Sequence, residues 1–367
     1  MNKMKRRIIV TMTLVLFWSF PVLSTVRAGI IFEDNFDATP DWNTSGQFNG
    51  ECPYPCATAP NGWNATRSAP GTLLVQNPMP VGSIRRLPGN LPDHTTGTGK
   101  AYIAVNQAND VDNWPGDSSL AKYFGQDYPE WYIRVWIRTQ SNWQTIPSGT
   151  LKVIRAYHYD GTGNIFNYFN TGYSAPIWLW SWGATYSADP SHNNMALYKN
   201  SFRCDPQESN YYCDKSSPAA PWYELNDYML PWNMIIGESL DESLNNPGAY
   251  VPATAAYADT NWHRYDFHIK VNTIGSNNGI FEWWYDGVLK ISKNDVHWKD
   301  AGSSAGIGWN TIHIGGNSDN AYANPGEQWY AIDDVVVSTT PIPADYVPGR
   351  GSTDTTPPAP PANLRTR

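Results

Sequence analysis

The chain has 367 residues, with 25 Lys and Arg against 33 Asp and Glu and a formal net charge of −8. Five of the positives (Lys3, Lys5, Arg6, Arg7, Arg27) lie in the first 28 residues, leaving 20 basic against 33 acidic residues, net −13, in the remainder. That balance excludes a nucleic-acid partner, which needs clustered Lys and Arg. Charged residues at 16%, without a block of like charge, exclude disorder of the main body. The distinctive term is aromatic: 18 Trp, 22 Tyr and 11 Phe. Trp and Tyr suit amphipathic ligands such as sugars, whose C–H faces stack on rings while their hydroxyls hydrogen-bond.

Residues 1–28 read as a secretory signal peptide. Lys3 to Arg7 form the basic region, Ile8 to Leu23 the apolar run, and Val26-Arg27-Ala28 the small-residue cleavage site. An uncleaved anchor is the rival, but the run is short for a membrane span and contains Pro21. With no other long apolar run, the mature chain is expected to have no membrane span and to be secreted or periplasmic. Four cysteines follow: Cys52, Cys56, Cys204 and Cys213. Of three connectivities, local pairing of Cys52 with Cys56 and Cys204 with Cys213 suits an oxidising compartment. A cysteine metal site is the alternative.

Strand signals then dominate. Expected strands are 30–36, 73–75, 83–87, 101–105, 131–139, 151–159, 165–169, 177–182, 262–272, 279–285, 288–292, 311–314 and 329–338. Residues 183–260 read as an irregular insertion, with a turn or two of helix at 222–229. Asp286-Gly287 is a hairpin turn. In 131–139, Trp131, Ile133, Val135 and Ile137 share one face, and Tyr132, Arg134, Trp136 and Arg138 the other. In 262–272, Tyr265, Phe267 and Ile269 oppose Arg264, Asp266, His268 and Lys270. Many strands and almost no helix mean two packed sheets or a barrel, so residues 29–340 form one β domain. Residues 341–367 are Pro-rich and read as a linker or disordered tail.

Trp178, Trp180 and Trp182 alternate with Ile177 and Leu179. Aliphatics suit the core, so the three indoles are expected to face outward and stack sugar rings in a groove. Core indoles with outward aliphatics are the alternative reading. Gly302-x-Ser304-x-Gly306 matches a nucleophile elbow by chance, because a strand and not a helix follows it.

The runs Trp262–Thr273, Asn278–Gly287 and Tyr330–Ser338 resemble the C-terminal half of secreted concanavalin A-like jelly rolls, more closely those related to alginate and glucuronan lyases. The resemblance implies an all-β, two-sheet jelly roll with long loop insertions. It also implies a polysaccharide partner, and cleavage of a uronic-acid glycan by β-elimination. The alternative is a non-catalytic, lectin-like jelly roll. The alginate-lyase Tyr-x-Lys-x-Gly-x-Tyr-x-Gln strand is matched only at Lys270, and Glu-x-Asp-x-x-Glu is absent. An eliminating enzyme needs a cation for the uronate carboxylate and groups that move protons. His268 and Lys270, with Arg134 or Arg138 as the carboxylate clamp, are the catalytic candidates; Tyr157 or His158 is a further one. Trp136 and Arg264 join the three indoles as substrate-binding candidates. In jelly rolls of this kind the terminal strands lie together, so Asp34, Asp37, Asp333 and Asp334 are expected to hold a structural Ca2+. No organic cofactor is expected, and the protein should be a monomer.

Overall fold

The structure, a computed structural model, describes residues 29–44, 51–68, 82–97, 99–106, 118–141, 150–166, 176–184, 193–199, 260–274, 276, 278–296, 298–299, 306–316 and 328–349. The second cysteine pair, the expected strand 73–75, the helical turn at 222–229 and the 302–306 motif lie outside these residues, apart from Gly306.

Sixteen strands are described: β1 (Ile30–Asp34), β2 (Trp42–Asn43), β3 (Glu51–Cys52), β4 (Ala65–Ser68), β5 (Gly82–Arg85), β6 (Ala101–Asn106), β7 (Ser118–Tyr128), β8 (Glu130–Thr139), β9 (Thr150–Tyr157), β10 (Ile177–Ala184), β11 (Asn193–Lys199), β12 (His263–Lys270), β13 (Gly279–Tyr285), β14 (Val288–Val296), β15 (Trp309–Gly316) and β16 (Gln328–Ser338). No α-helix occurs among the described residues. A nine-stranded sheet runs β14-β13-β12-β8-β16-β6-β5-β2, with β1 also on β16; a seven-stranded sheet runs β11-β10-β9-β15-β7-β4-β3. Every pairing is antiparallel. This is the expected β-jelly-roll sandwich.

Most of the alternation read from the sequence becomes geometry. Trp131, Ile133, Val135 and Ile137 of β8, and Tyr265, Phe267 and Ile269 of β12, enter one apolar core. Asp286 and Gly287 take positive φ values of 49° and 78°, as a tight hairpin between right-twisted strands requires. Strand β7 was not anticipated. Ser118, Ser119, Lys122, Gly125 and Gln126 dilute its strand signal, and pairing with β4 and β15 holds it instead. Ile165 and Phe166 lie in a turn and not a strand. Segment 341–349, expected to begin a tail, packs on the sandwich, with Ile342 and Tyr346 buried beside Val336.

One expectation is reversed. Trp178 and Trp180 are core residues, each fully buried. Trp178 meets Phe267 at 4.7 Å between ring centroids, and Trp180 meets Trp283 at 4.7 Å and Phe267 at 5.1 Å. Ile177 and Leu179 do face the other way, but into a second apolar cluster with Tyr157, Tyr159, Ile165 and Phe166. With both faces of β10 buried, alternation alone loses its power to say which face is the core. The large rings fill the gap between sheets and the aliphatics seat the 159–166 segment. The β10 backbone includes Trp182, whose side chain lies outside the described set.

The expected Cys52–Cys56 disulfide is present, with Cα atoms 5.3 Å apart. It closes a small loop that carries Tyr54.

A Trp180→Ala variant should therefore lose about 3–5 kcal/mol of stability, the cost of a large cavity in a packed core. Equilibrium unfolding in urea measures this. A loss below about 1 kcal/mol would mean that the indole is not packed as described.

Candidate functional site

The outer face of the nine-stranded sheet carries most of the residues singled out in the sequence. Register sets β8 against β12 so that Arg134 opposes Asp266, Tyr132 opposes His268 and Glu130 opposes Lys270; β13 adds Glu282 opposite His268. Asp266 accepts from Arg134 Nε at 2.5 Å and pairs with Arg264 Nε at 2.8 Å. The Arg134 guanidinium also donates to the carbonyls of Pro343 and Ile342. His268 has Glu282 Oε2 2.8 Å from Nδ1 and Glu130 Oε1 2.7 Å from Nε2. Tyr132 stacks on that imidazole at 4.2 Å, and Lys270 Nζ lies 3.3 Å from Glu130 Oε2.

These contacts move several pKa values. Burial would raise the Glu130 carboxyl, but bonding to His268 and Lys270 outweighs it and holds it low. The His268 hydrogen bond holds Glu282 low as well. Burial, and then the Glu130 charge, push the Tyr132 phenol well up.

The four catalytic candidates do not converge. Arg138 donates to the Pro92 carbonyl at 3.3 Å. It lies eight residues along β8 from Glu130, the partner of Lys270, or roughly 26 Å at strand spacing. Trp136 is covered by His94, stacked at 3.5 Å. A carboxylate oxygen on each His268 nitrogen leaves neither open to take a substrate proton, and Arg134 already clamps a carboxylate of its own chain.

The outer face of the seven-stranded sheet holds a different constellation. Arg155 of β9 and His313 of β15 are register partners. Arg155 Nη1 lies 3.2 Å from Nδ1 and 3.0 Å from Nε2 of His313. Burial, then the charges of Arg155 and Arg67 on β4, hold the His313 pKa well below the ordinary imidazole value. Tyr157 is on the same face, donating its hydroxyl to the Ile165 carbonyl at 2.8 Å, and Phe166 meets the His313 ring at 5.2 Å. Farther along, Tyr54, Tyr123 and Tyr159 form a cluster with ring centroids 5.2, 5.2 and 6.4 Å apart. Tyr54, on the disulfide loop, is 37% exposed. His158 is held by Asp127 at 2.7 Å and by Asn310.

Arg155 and His313 escaped the sequence reading. The signal was present as polar residues in apolar alternation, Ile154-Arg155-Ala156 and Ile312-His313-Ile314. Nothing in the sequence paired the two strands.

The acidic residues divide. Asp34 accepts from Phe36 N and Trp63 Nε1, each at 2.8 Å, and is thereby tied to Trp63 rather than to a shared acid site. Asp37, Asp333 and Asp334 gather instead with Asp93, which the sequence reading missed. At the Asp333–Val336 bulge of β16, Asp333 Oδ2 accepts from His94 N at 3.1 Å and Asp334 Oδ2 from His94 Nδ1 at 2.5 Å. Asp93 accepts from the Thr96, Gly97 and Gly99 amides. Gly99 is required here, since a Cβ would lie 1.5 Å from Asp37 Oδ1. Burial, reinforced by the Asp334 charge, raises Asp333 well above the carboxylate range. The carboxylates are oxygen donors of the kind Ca2+ takes, and Asp334 Oδ1 is buried with no hydrogen-bond partner among the described residues. Among the described residues, though, no three His, Cys, Asp or Glu side chains are grouped so that they could hold a metal ion.

The sequence matches no protein-family model and no curated protein sequence. Solved structures with similar folds include an endo-β-1,4-glucuronan lyase from the fungus Trichoderma reesei. It is 14% identical, over 80% of this chain and 96% of that one, at a TM-score of 0.41. An alginate lyase from Chlorella virus is 8% identical over 76% and 93%, at 0.42. An alginate lyase from Aplysia kurodai is 9% identical over 71% and 87%, at 0.39. None of these likenesses assigns a role to a residue.

Burial lifts the Asp34 carboxyl from its ordinary 3.8 to about 6, with the Phe36 and Trp63 hydrogen bonds only partly opposing. The folded chain thus holds this proton more tightly than the unfolded chain. The associated stability is fully present below about pH 4 and is lost as pH rises through about 6. Wild type should lose roughly 2–3 kcal/mol relative to Asp34→Asn between about pH 4 and pH 7. Urea unfolding of both proteins at the two pH values measures it, and an unchanged difference would contradict the assignment.

Proposed function

We propose that the protein is exported, binds an acidic polysaccharide along the outer face of its seven-stranded sheet and cleaves it by β-elimination. The observation that carries this reading is the His313 imidazole held against Arg155, whose Nη1 lies 3.0 Å from Nε2, with the charge of Arg67 also acting on the ring. Arg155 and His313 are both buried; a uronate carboxylate admitted to them would meet the guanidinium of Arg155, which stabilises the charge that develops as C5 is deprotonated. His313 takes the C5 proton. The electron pair forms the C4–C5 double bond, the C4–O bond breaks, and the departing oxygen takes the proton back from the imidazolium. An imidazolium beside two arginines is a strong acid, which favours that return. Substrate reaches His313 by displacing Phe166, and Tyr54 offers a ring to a neighbouring sugar. The disulfide supports an oxidising location. The resemblance of residues 262–338 to lyases of this fold supports the reaction class.

Incubation with alginate, polyglucuronate and polygalacturonate should generate ultraviolet absorbance from the unsaturated product on at least one. His313→Asn should reduce that rate by about 10²–10⁴-fold, the usual contribution of a general base, with the melting temperature recorded to confirm folding. Binding without absorbance on any polyuronide would favour lectin-like recognition instead.

We also propose that Ca2+ sits among Asp37, Asp93, Asp333 and Asp334, where it would relieve repulsion between buried carboxylates. Bound only by the folded chain, it stabilises by mass action. Excess chelator should lower the melting temperature, and added Ca2+ should restore it. An identical melting curve with chelator overturns the site.

A further inference from the structure

The nine-stranded sheet has a cavity on its outer face of about 440 Å3, between β8, β12, β13, the β13–β14 hairpin and segment 341–344. That volume is within the usual ligand-pocket range of roughly 300–1,000 Å3. Its walls are of two kinds. Trp284, Leu289 and Ile342 supply apolar surface, and Arg264, Asp266 and Glu282 supply polar groups. Trp284 alternates with Trp283, so when Trp283 enters the core Trp284 is turned outward. Gly287 shapes the hairpin side: a Cβ there would lie 2.6 Å from Arg264 Nη2.

The charges around the cavity are already matched. Asp266 is shared by Arg134 and Arg264, Glu130 by His268 and Lys270, and Glu282 is bound by His268. A charged ligand would have to break one of these pairs, and a neutral one need not. The carboxylates retain lone pairs and can only accept, while the guanidinium can only donate. A hydroxyl does both. The occupant that suits an indole and an aliphatic wall facing separate donors and acceptors is a saturated ring rich in hydroxyls.

We propose that this cavity is a second carbohydrate site, which takes an uncharged sugar unit stacked on Trp284. It lies on the opposite sheet from Arg155 and His313, and it stands whether or not that face is catalytic. Isothermal titration with cellohexaose, laminarihexaose and xylohexaose tests it. At least one should bind wild type. Trp284→Ala should weaken that binding about five- to tenfold, as loss of one aromatic contact does, and Trp284→Phe should retain most of it. Leu289→Glu, which places a charge in the cavity, should abolish it. All three variants should keep the wild-type response to polyuronides. No binding of the three oligosaccharides by wild type, or equal binding by every variant, overturns the proposal. A polyuronide affinity that falls in Trp284→Ala also overturns it, because the cavity would then hold the acidic chain.

Discussion

The aromatic seam between the sheets is the constraint on which the other features depend. Trp178 and Trp180 reach from the seven-stranded sheet to Phe267, Phe281 and Trp283 of the nine-stranded one. Each buried ring contributes on the order of 1.5–3 kcal/mol through burial, and ring contacts add to that. Among the described residues, the indole nitrogens of Trp178, Trp180 and Trp283 meet no hydrogen-bond partner. The core thus accepts a polar cost to fill a wide gap with rigid, flat groups. Because a strand's side chains alternate, fixing these rings inward also fixes what points outward. Phe267 inward turns Asp266 and His268 out; Ile312 and Ile314 inward turn His313 out.

The two outer faces carry different charged groups. On the nine-stranded sheet, each cation among Arg134, Arg264 and Lys270 has a carboxylate within ion-pair distance. Such a face is rigid and nearly neutral at short range. On the seven-stranded sheet, burial and then the charges of two arginines press the pKa of one imidazole down. Matched charges favour recognition of neutral hydroxyl-rich surface. Positive potential favours anions and stabilises charge that develops during a reaction.

Strand β16 joins these faces to the carboxylate cluster. Along one edge it pairs with β6 up to Ile332 and with β1 from Val335. The change of neighbour falls at Asp333 and Asp334, where Asp334 takes a φ of 47° and the register to β8 shifts. A bulge at such a junction bends the strand and re-aims side chains. Here it brings two acids under the loop that carries Asp93 and His94.

The sequence by itself determined the all-β class, the core faces of β8 and β12, the Asp286-Gly287 hairpin and the Cys52–Cys56 bridge. Each is a local property: a period of two, a turn dipeptide, a short cysteine spacing. The polar rows containing Arg134, Arg264 and His268 were legible for the same reason, since one face of those strands is apolar and the other charged. Only the tertiary structure decided which residues those polar groups meet. Arg134 reaches the carbonyls of 342–343 and Asp266 on another strand, which no local spacing encodes. It also decided the orientation of β10, where Trp and aliphatic residues are equally fit for burial and only the width of the gap opposite selects between them. Arg155 and His313 are 158 residues apart in the chain and become a pair because β9 and β15 are neighbours in the sheet. Strand order is a long-range property of packing, so the pairing of those two residues could not be read from either strand alone.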